Sequence, residues 1–282
     1  MHASTLLPLL AGATLAVPHK QARAVQCPIV FDGRVPVNTA LTYFDTNNAL
    51  FNPDYVKGNN LAWSSILKLP NETASRFDGS DYTALEVTIS DKSIFQQQYG
   101  FRRAGLQFAQ DSSSGPGATG VKTLHFSVKQ DATRPLNLTH EYLNAWHETA
   151  DYSADQIMFQ TGSLIGKSDS DKASFKILDR SGTYLYAVPI DYQNWQNFAI
   201  TLNYNNNSVN IYYSVGSAEL KAVASNKSAN LAGGGQYQLG ILKKPTGTSD
   251  VVNSGYQEPN LNEAQIYGGV FLEDSSSGCV SL

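Results

Sequence analysis

Apolar and polar residues alternate with period two along most of the 282-residue chain, and the alternation breaks at Gly, Asn, Asp and Ser. That is the signature of half-buried strands joined by turns rather than of helices. Residues 83–90 set Leu85, Val87 and Ile89 against Glu86, Thr88 and Ser90, and residues 122–128 set Leu124, Phe126 and Val128 against Thr123, His125 and Ser127. Residues 179–182 read as a turn between strands at 174–178 and 183–189, and 195–204 and 209–215 as a hairpin around 205–208. Segments 100–110 and 136–148 are expected to be strands, and 237–242 and 264–272 to complete the set. Strands without intervening helices predict an all-β fold, an antiparallel two-sheet β-jelly-roll sandwich with a concave cleft. No linker or internal repeat interrupts the pattern, and 112–120 reads as a loop, so residues 25–282 are expected to form one domain.

Composition narrows the class of ligand. Hydrophobic residues make up 41% of the chain, enough for a sizeable core. Charged residues make up 16% and the net charge is −4, with no basic stripe, so nucleic acid is not an expected partner. Of the 15 Tyr, 12 Phe and 3 Trp, most are expected in the core, and an exposed minority would suit stacking against the apolar faces of sugar rings.

The N-terminus points outside the cell. Residues 5–18 form an apolar run of signal-peptide length that is too short to span a bilayer, with small-residue cleavage sites after Ala16 or after the Ala22-Arg23-Ala24 triplet. Residues 1–24 are therefore expected to be a secretory signal, and no later segment suggests a span or a lipid anchor. Sequons at Asn71, Asn137, Asn206 and Asn226 agree with that compartment. Cys27 and Cys279 are the only cysteines, and an oxidising compartment predicts one disulfide tying the ends together. Closing so long a loop is worth up to roughly 5 kcal/mol on the chain-entropy model.

Candidate chemistry is concentrated in two segments. On 100–110, Ala104, Leu106 and Phe108 face the core while Arg103, Gly105 and Gln107 face away. Arg103 reads either as a clamp for a hydroxyl or carboxylate, or as a surface charge on a packed stem. On 136–148, Asn137, Thr139, Glu141 and Leu143 are expected on one face, and Leu136, Leu138, His140 and Tyr142 on the other. His147 and Glu148 follow Trp146 as a sheet-end pair or a polar cluster at the cleft mouth. The chain lacks an HExxH zinc motif, a GxSxG elbow and a Gly-rich phosphate loop, so no cofactor or metal is expected. Carbohydrate chemistry remains. Glycoside hydrolysis needs a proton donor and a second carboxylate, about 5 Å away as nucleophile or roughly 6.5–9.5 Å away as the base for a water. A nearby arginine lowers one carboxyl pKa and burial raises another, which divides the pair into base and acid.

These motifs, together with residues 29–35, 243–259 and 265–274, resemble fungal glycoside hydrolase family 131 over nearly the whole chain from residue 25. The resemblance implies a secreted β-jelly-roll enzyme acting on β-glucans with β-1,3, β-1,4 and β-1,6 linkages. It implies catalytic carboxylates in an Arg-x-Glu-Leu strand and a His-Glu-Tyr strand. The second is intact as His140-Glu141-Tyr142, which gives Glu141 a carboxylate role and His140 a supporting one, and Arg103 matches the arginine of the first. Gln107, His125, Tyr142 and Glu148 are expected to contact the sugar.

The first motif reads Arg103-Ala104-Gly105-Leu106, so its glutamate is replaced by Gly105, and no histidine follows His147. Glu148 and Asp151 are possible substitutes. Because acid–base assistance contributes about 10²–10⁴-fold, such a chain is expected to be an impaired β-glucanase. The alternatives are a non-catalytic β-glucan-binding protein, or a polysaccharide lyase in which Arg103 neutralises a uronate and Tyr142 or His140 is the base. The expected partner is β-glucan polysaccharide, with no membrane contact, and the expected state is monomeric. Asn137, close to Glu141, is expected to carry no glycan or to lie at the cleft edge.

Overall fold

Sixteen strands run through the described residues, 25–168 and 171–282, of this computed structural model. The expected signal segment, 1–24, lies outside the described residues. In chain order the strands are β1 (Ile29–Asp32), β2 (Val35–Pro36), β3 (Leu67–Lys68), β4 (Tyr82–Thr83), β5 (Leu85–Ser90), β6 (Arg102–Gln107), β7 (Val121–Gln130) and β8 (Glu141–Glu148). They continue with β9 (Asp155–Gly162), β10 (Ser174–Asp179), β11 (Tyr184–Pro189), β12 (Gln196–Asn203), β13 (Ser208–Val215), β14 (Lys221–Ser228), β15 (Gln236–Lys243) and β16 (Asn262–Asp274). The first sheet has the order β14-β13-β12-β7-β16-β5-β3 with β1 also on β16, the second β11-β10-β9-β8-β15-β6, and β2-β4 is a small ribbon. All the pairings are antiparallel, giving the expected sandwich.

The alternating apolar positions meet between the sheets. Leu124, Phe126 and Val128 of β7 face Phe159 of β9 and Phe175 of β10 across the core. Phe126 and Phe159 stand edge to face at 5.0 Å, and Phe159 meets Phe198 of β12 at 4.7 Å, the offset geometry that aromatic quadrupoles favour. Cys27 and Cys279 form the expected disulfide across 252 residues, with 5.8 Å between their Cα atoms, where β1 pairs with the end of β16.

The segment expected as one strand from 136 to 148 begins as a turn. The Asn137 side chain accepts hydrogen bonds from the Thr139 N–H and hydroxyl, and the His140 N–H bonds the Asn137 carbonyl, so the chain becomes extended only at Glu141. Such an Asx turn competes with strand pairing, and it removes Asn137 and Thr139 from the face expected to carry Glu141.

Two irregularities in the second sheet then decide which side chains share a face. The register of β8 shifts between Leu143 and Ala145 against β9, leaving Asn144 as the extra residue of a bulge. Without it, Glu141 and Glu148 would point to opposite sides. With it, Leu143, Trp146 and Glu148 share the side of Glu141, while Ala145 and His147 face the core. The Tyr267 hydroxyl of the first sheet shares its one proton between the Asn144 carbonyl at 2.7 Å and the Gly240 carbonyl of β15 at 2.6 Å, acceptors that the irregular ladder leaves open. Gly240 has a φ of 150°, and a Cβ there would strike the Ala104 carbonyl. A second shift, between His147 and Glu148, sets Asp155 of β9 directly opposite Glu148.

Candidate active site

The side of the second sheet turned away from the aromatic core opens, at its Glu148 end, into a cavity of about 660 Å³. Arg103 and Gln107 of β6, Glu148 of β8 and Gln236 of β15 form its floor. Its walls are loops that the sheet itself positions. Residues 52–56 run along the open edge of β6, with Asn52 N–H to the Gln107 carbonyl at 2.8 Å and Gly105 N–H to the Val56 carbonyl at 2.8 Å, which covers that edge and sets Tyr55 at the mouth. The Arg103 N–H holds the Ser93 carbonyl at 2.7 Å, anchoring the loop that carries Phe95, Gln96 and Gln98. Opposite, the β8–β9 turn presents Tyr152, 75% exposed and at a left-handed φ of 59°. A non-glycine residue persists there only when its surroundings hold it. The holding group is Asp151, whose carboxylate accepts from the Thr149 hydroxyl and from the Ser153 hydroxyl and N–H.

On the cavity floor, Arg103 donates to Gln98 Oε1 at 3.0 Å and to Gln238 Oε1 at 3.4 Å, and its guanidinium lies 5.8 Å from the ring centres of both Trp146 and Phe95. Gln238 Nε2 in turn donates to Glu148 Oε2 at 2.6 Å. The half-buried Asp155 faces Glu148 across the β8–β9 ladder. Burial, reinforced by the Glu148 charge, pushes its carboxyl up to about 7, against the opposing pull of Lys244 and Arg103. Asp151 behaves oppositely, because the Ser153 and Thr149 hydrogen bonds hold it down at about 2.

Further along the same side, Glu141 is 5% exposed and both its carboxylate oxygens are engaged. Oε1 accepts from Gln160 Nε2 at 2.9 Å and pairs with Lys244, while Oε2 accepts the Ile165 N–H at 2.6 Å. Glu141 is absent from the lining of the cavity. Between the two ends lies Gly105, where a Cβ would sit 2.8 Å from Gln238 Oε1 and 3.2 Å from the Trp146 ring. A side chain at position 105 therefore requires the flexible end of Gln238 to move and presses on the Trp146 ring.

The model of the glycoside hydrolase 131 catalytic N-terminal domain matches residues 29–278. The chain belongs to glycoside hydrolase family 131. Among solved structures, the GH131 β-glucanase catalytic domain from Podospora anserina superposes with a TM-score of 0.72 at 18% identity, covering 90% of this chain and 97% of that one. The family 131 catalytic domain from Coprinopsis cinerea superposes with a TM-score of 0.67 at 22% identity, covering 88% and 94%. No curated protein sequence gives a significant match to the chain.

Within this family 131 fold, the residues expected to form the site separate into groups. Arg103, Gln107 and Glu148 come together in the cavity, with Gly105 beside them on β6. Three other expectations meet a different geometry. His125 lies on the first sheet, fully buried, its Nε2 2.8 Å from Glu273 and its ring stacked on Phe271 at 4.3 Å, so it has no access to a sugar. Tyr142 points into the core and donates to Glu263 at 2.9 Å; burial and that carboxylate push its phenol upward, which removes it as a lyase base. His140 is wedged between the Lys244 carbonyl and Glu258, and burial lowers its pKa. His147 is also on the core side, held down to about 3 by burial.

Asn71, Asn206 and Asn226 are exposed, whereas the Asn137 amide donates to Glu258 at 2.9 Å. The residues that the sequence reading missed are Asp155, Gln238, Trp146 and the mouth tyrosines Tyr55 and Tyr152. Of these, only Tyr152 had a local signal, the Asp151-Tyr152-Ser153 turn composition.

Proposed function

We propose that this protein is a secreted hydrolase of β-glucans, acting on chains with β-1,3, β-1,4 and β-1,6 linkages at a rate limited by the loss of the carboxylate at position 105. The observation that carries the reading is the cavity in which an arginine, two amides and a glutamate share the floor beneath two exposed tyrosines in a family 131 domain. Tyrosine rings suit the C–H faces of glucose, and Gln98, Gln107 and Gln236 offer neutral donors and acceptors to its hydroxyls. The cavity is large enough for a sugar unit and the attacking water. The similar Podospora anserina domain is a β-glucanase catalytic domain, which supports the same substrate class. The terminal disulfide agrees with secretion.

Incubation with laminarin, lichenan and pustulan, read as reducing-end release, tests the reading. Release from at least one of them is expected. Tight binding without release would favour the second reading, a β-glucan-binding protein, which rests on the same mouth tyrosines and on the absence of a carboxylate at Gly105.

A further inference from the structure

We propose that Asp155 is the proton donor of this glycosidase and Glu148 its base, an acid pair assembled across β8 and β9 in place of the carboxylate missing at position 105. The proposal rests on the hydrolase reading above. Its geometric basis is the double register shift of β8, which turns Glu148 to the cavity side and sets Asp155 opposite it. Directly opposed residues of an antiparallel pair hold their Cβ atoms about 5 Å apart, and a glutamate and an aspartate splayed from such positions reach the roughly 6.5–9.5 Å carboxyl separation that leaves room for a water.

Glu148 lines the cavity and is held through one oxygen by Gln238. No side-chain hydrogen bond to Asp155 occurs among the described residues, so its carboxyl is not committed elsewhere. The other acid of that loop, Asp151, is consumed in pinning the turn. The groups facing Asp155 are Glu148 from β8, Arg103 from β6 and Lys244 from the end of β15. Glu148 and burial favour the protonated acid before the reaction, and the two cations stabilise the carboxylate left after it.

In the step itself, Asp155 transfers its proton to the glycosidic oxygen as the bond from that oxygen to the anomeric carbon breaks. Glu148 takes a proton from a water whose oxygen forms the new bond to that carbon. Water is the only co-reactant, and the two carboxyls exchange their proton with solvent before the next turnover.

Steady-state kinetics on laminarin with Asp155→Asn, Asp155→Glu and Glu148→Gln tests the pair. Asp155→Asn is expected to lower kcat by about 10²–10⁴-fold with KM little changed, and to lack the alkaline limb expected near pH 7 for the native enzyme. Asp155→Glu is expected to regain part of the rate. Unchanged laminarin affinity and melting temperature separate lost chemistry from lost folding. Carboxyl NMR titration provides a readout independent of turnover: Asp155 is expected to titrate near 7 in the native protein and lower in Glu148→Gln. If Asp155→Asn keeps its rate and its alkaline limb while the native protein hydrolyses glucan, the pair is wrong and the hydrolase reading stands. If the native protein releases no reducing ends, the hydrolase reading falls and the pair with it. An Asp155 titration unaffected by Glu148→Gln also overturns the pair.

Discussion

The two glutamates that bound β8 sit on the same side of one sheet and are treated in opposite ways. Glu141, at the start, spends both carboxylate oxygens on Lys244, Gln160 and the Ile165 N–H and is nearly sealed from solvent. Glu148, at the end, is held through a single oxygen by Gln238 and opens onto the cavity beside Arg103, with Asp155 opposite it across the β8–β9 ladder. A carboxylate with both oxygens engaged is well placed to hold structure. One with a free oxygen in a cavity is well placed to accept a proton. The difference arises from loops: the 163–168 segment folds over Glu141, whereas the β8–β9 turn and residues 52–56 wall off the space above Glu148.

The comparison is most exposed at the cation shared by the cavity. Arg103→Met is expected to lower kcat on laminarin roughly 100-fold. Arg103 opposes the upward shift of Asp155, so its loss should also move the alkaline limb of the pH–rate profile to higher pH. A limb that stays in place would separate Arg103 from Asp155.

Gly105→Glu, which restores the family motif in sequence, is expected to cost about 1–3 kcal/mol of stability through overpacking against Trp146 and Gln238, with no gain in rate. Adding Trp146→Ala should relieve the crowding. Thermal melting and reducing-end assays on the single and double variants read both effects, and a large gain from the single variant would show that the volume yields.

Glu141→Gln is expected to lower stability by about 1–2 kcal/mol, as the Lys244 pairing goes while the hydrogen-bonding shape is kept, and to change kcat by less than about tenfold. Denaturant unfolding beside kinetics checks it, and abolished turnover at native stability would return the chemistry to Glu141.

Tyr152→Ala should raise KM by about 3–10-fold, the share of one stacking aromatic, and leave kcat near native. A fall in kcat with KM unchanged would contradict its role as a platform.

The smallest expected effect concerns pH and folding. Burial raises the folded pKa of Asp155 to about 7, from an ordinary value of 3.8. The unfolded chain therefore releases this proton first as pH rises, and stability falls between those two values. Asp155→Asn should melt higher than the native protein above pH 7, with the difference closing near pH 4. Equal melting curves at both pH values would count against the burial of Asp155.

The sandwich was readable from residues because period-two patterning and turn residues are local. The hairpin of β12 and β13, the β10–β11 pair and the terminal disulfide all lie where alternation and cysteine count placed them. Arg103, Gln107 and Glu148, expected near the cleft, line one cavity, the first two placed on that side by alternation on a regular strand. The rest was hidden by three non-local effects. The Asx turn at Asn137 shortened β8, and the bulge at Asn144 inverted the facing of every later residue on it. The shift at His147 paired Glu148 with an aspartate seven positions away that no motif marks. His125 and Tyr142 looked like polar residues on an open face, and instead each found a buried glutamate, Glu273 and Glu263, more than a hundred residues downstream.

A crystal structure of Glu148→Gln with a bound laminari-oligosaccharide tests the central claim most directly. The sugar is predicted to lie between Tyr55 and Tyr152, with a glycosidic oxygen within hydrogen-bond reach of Asp155 and Lys244 still on Glu141. An oligosaccharide seated over Glu141, with Lys244 displaced and the Glu148 cavity empty, would contradict it.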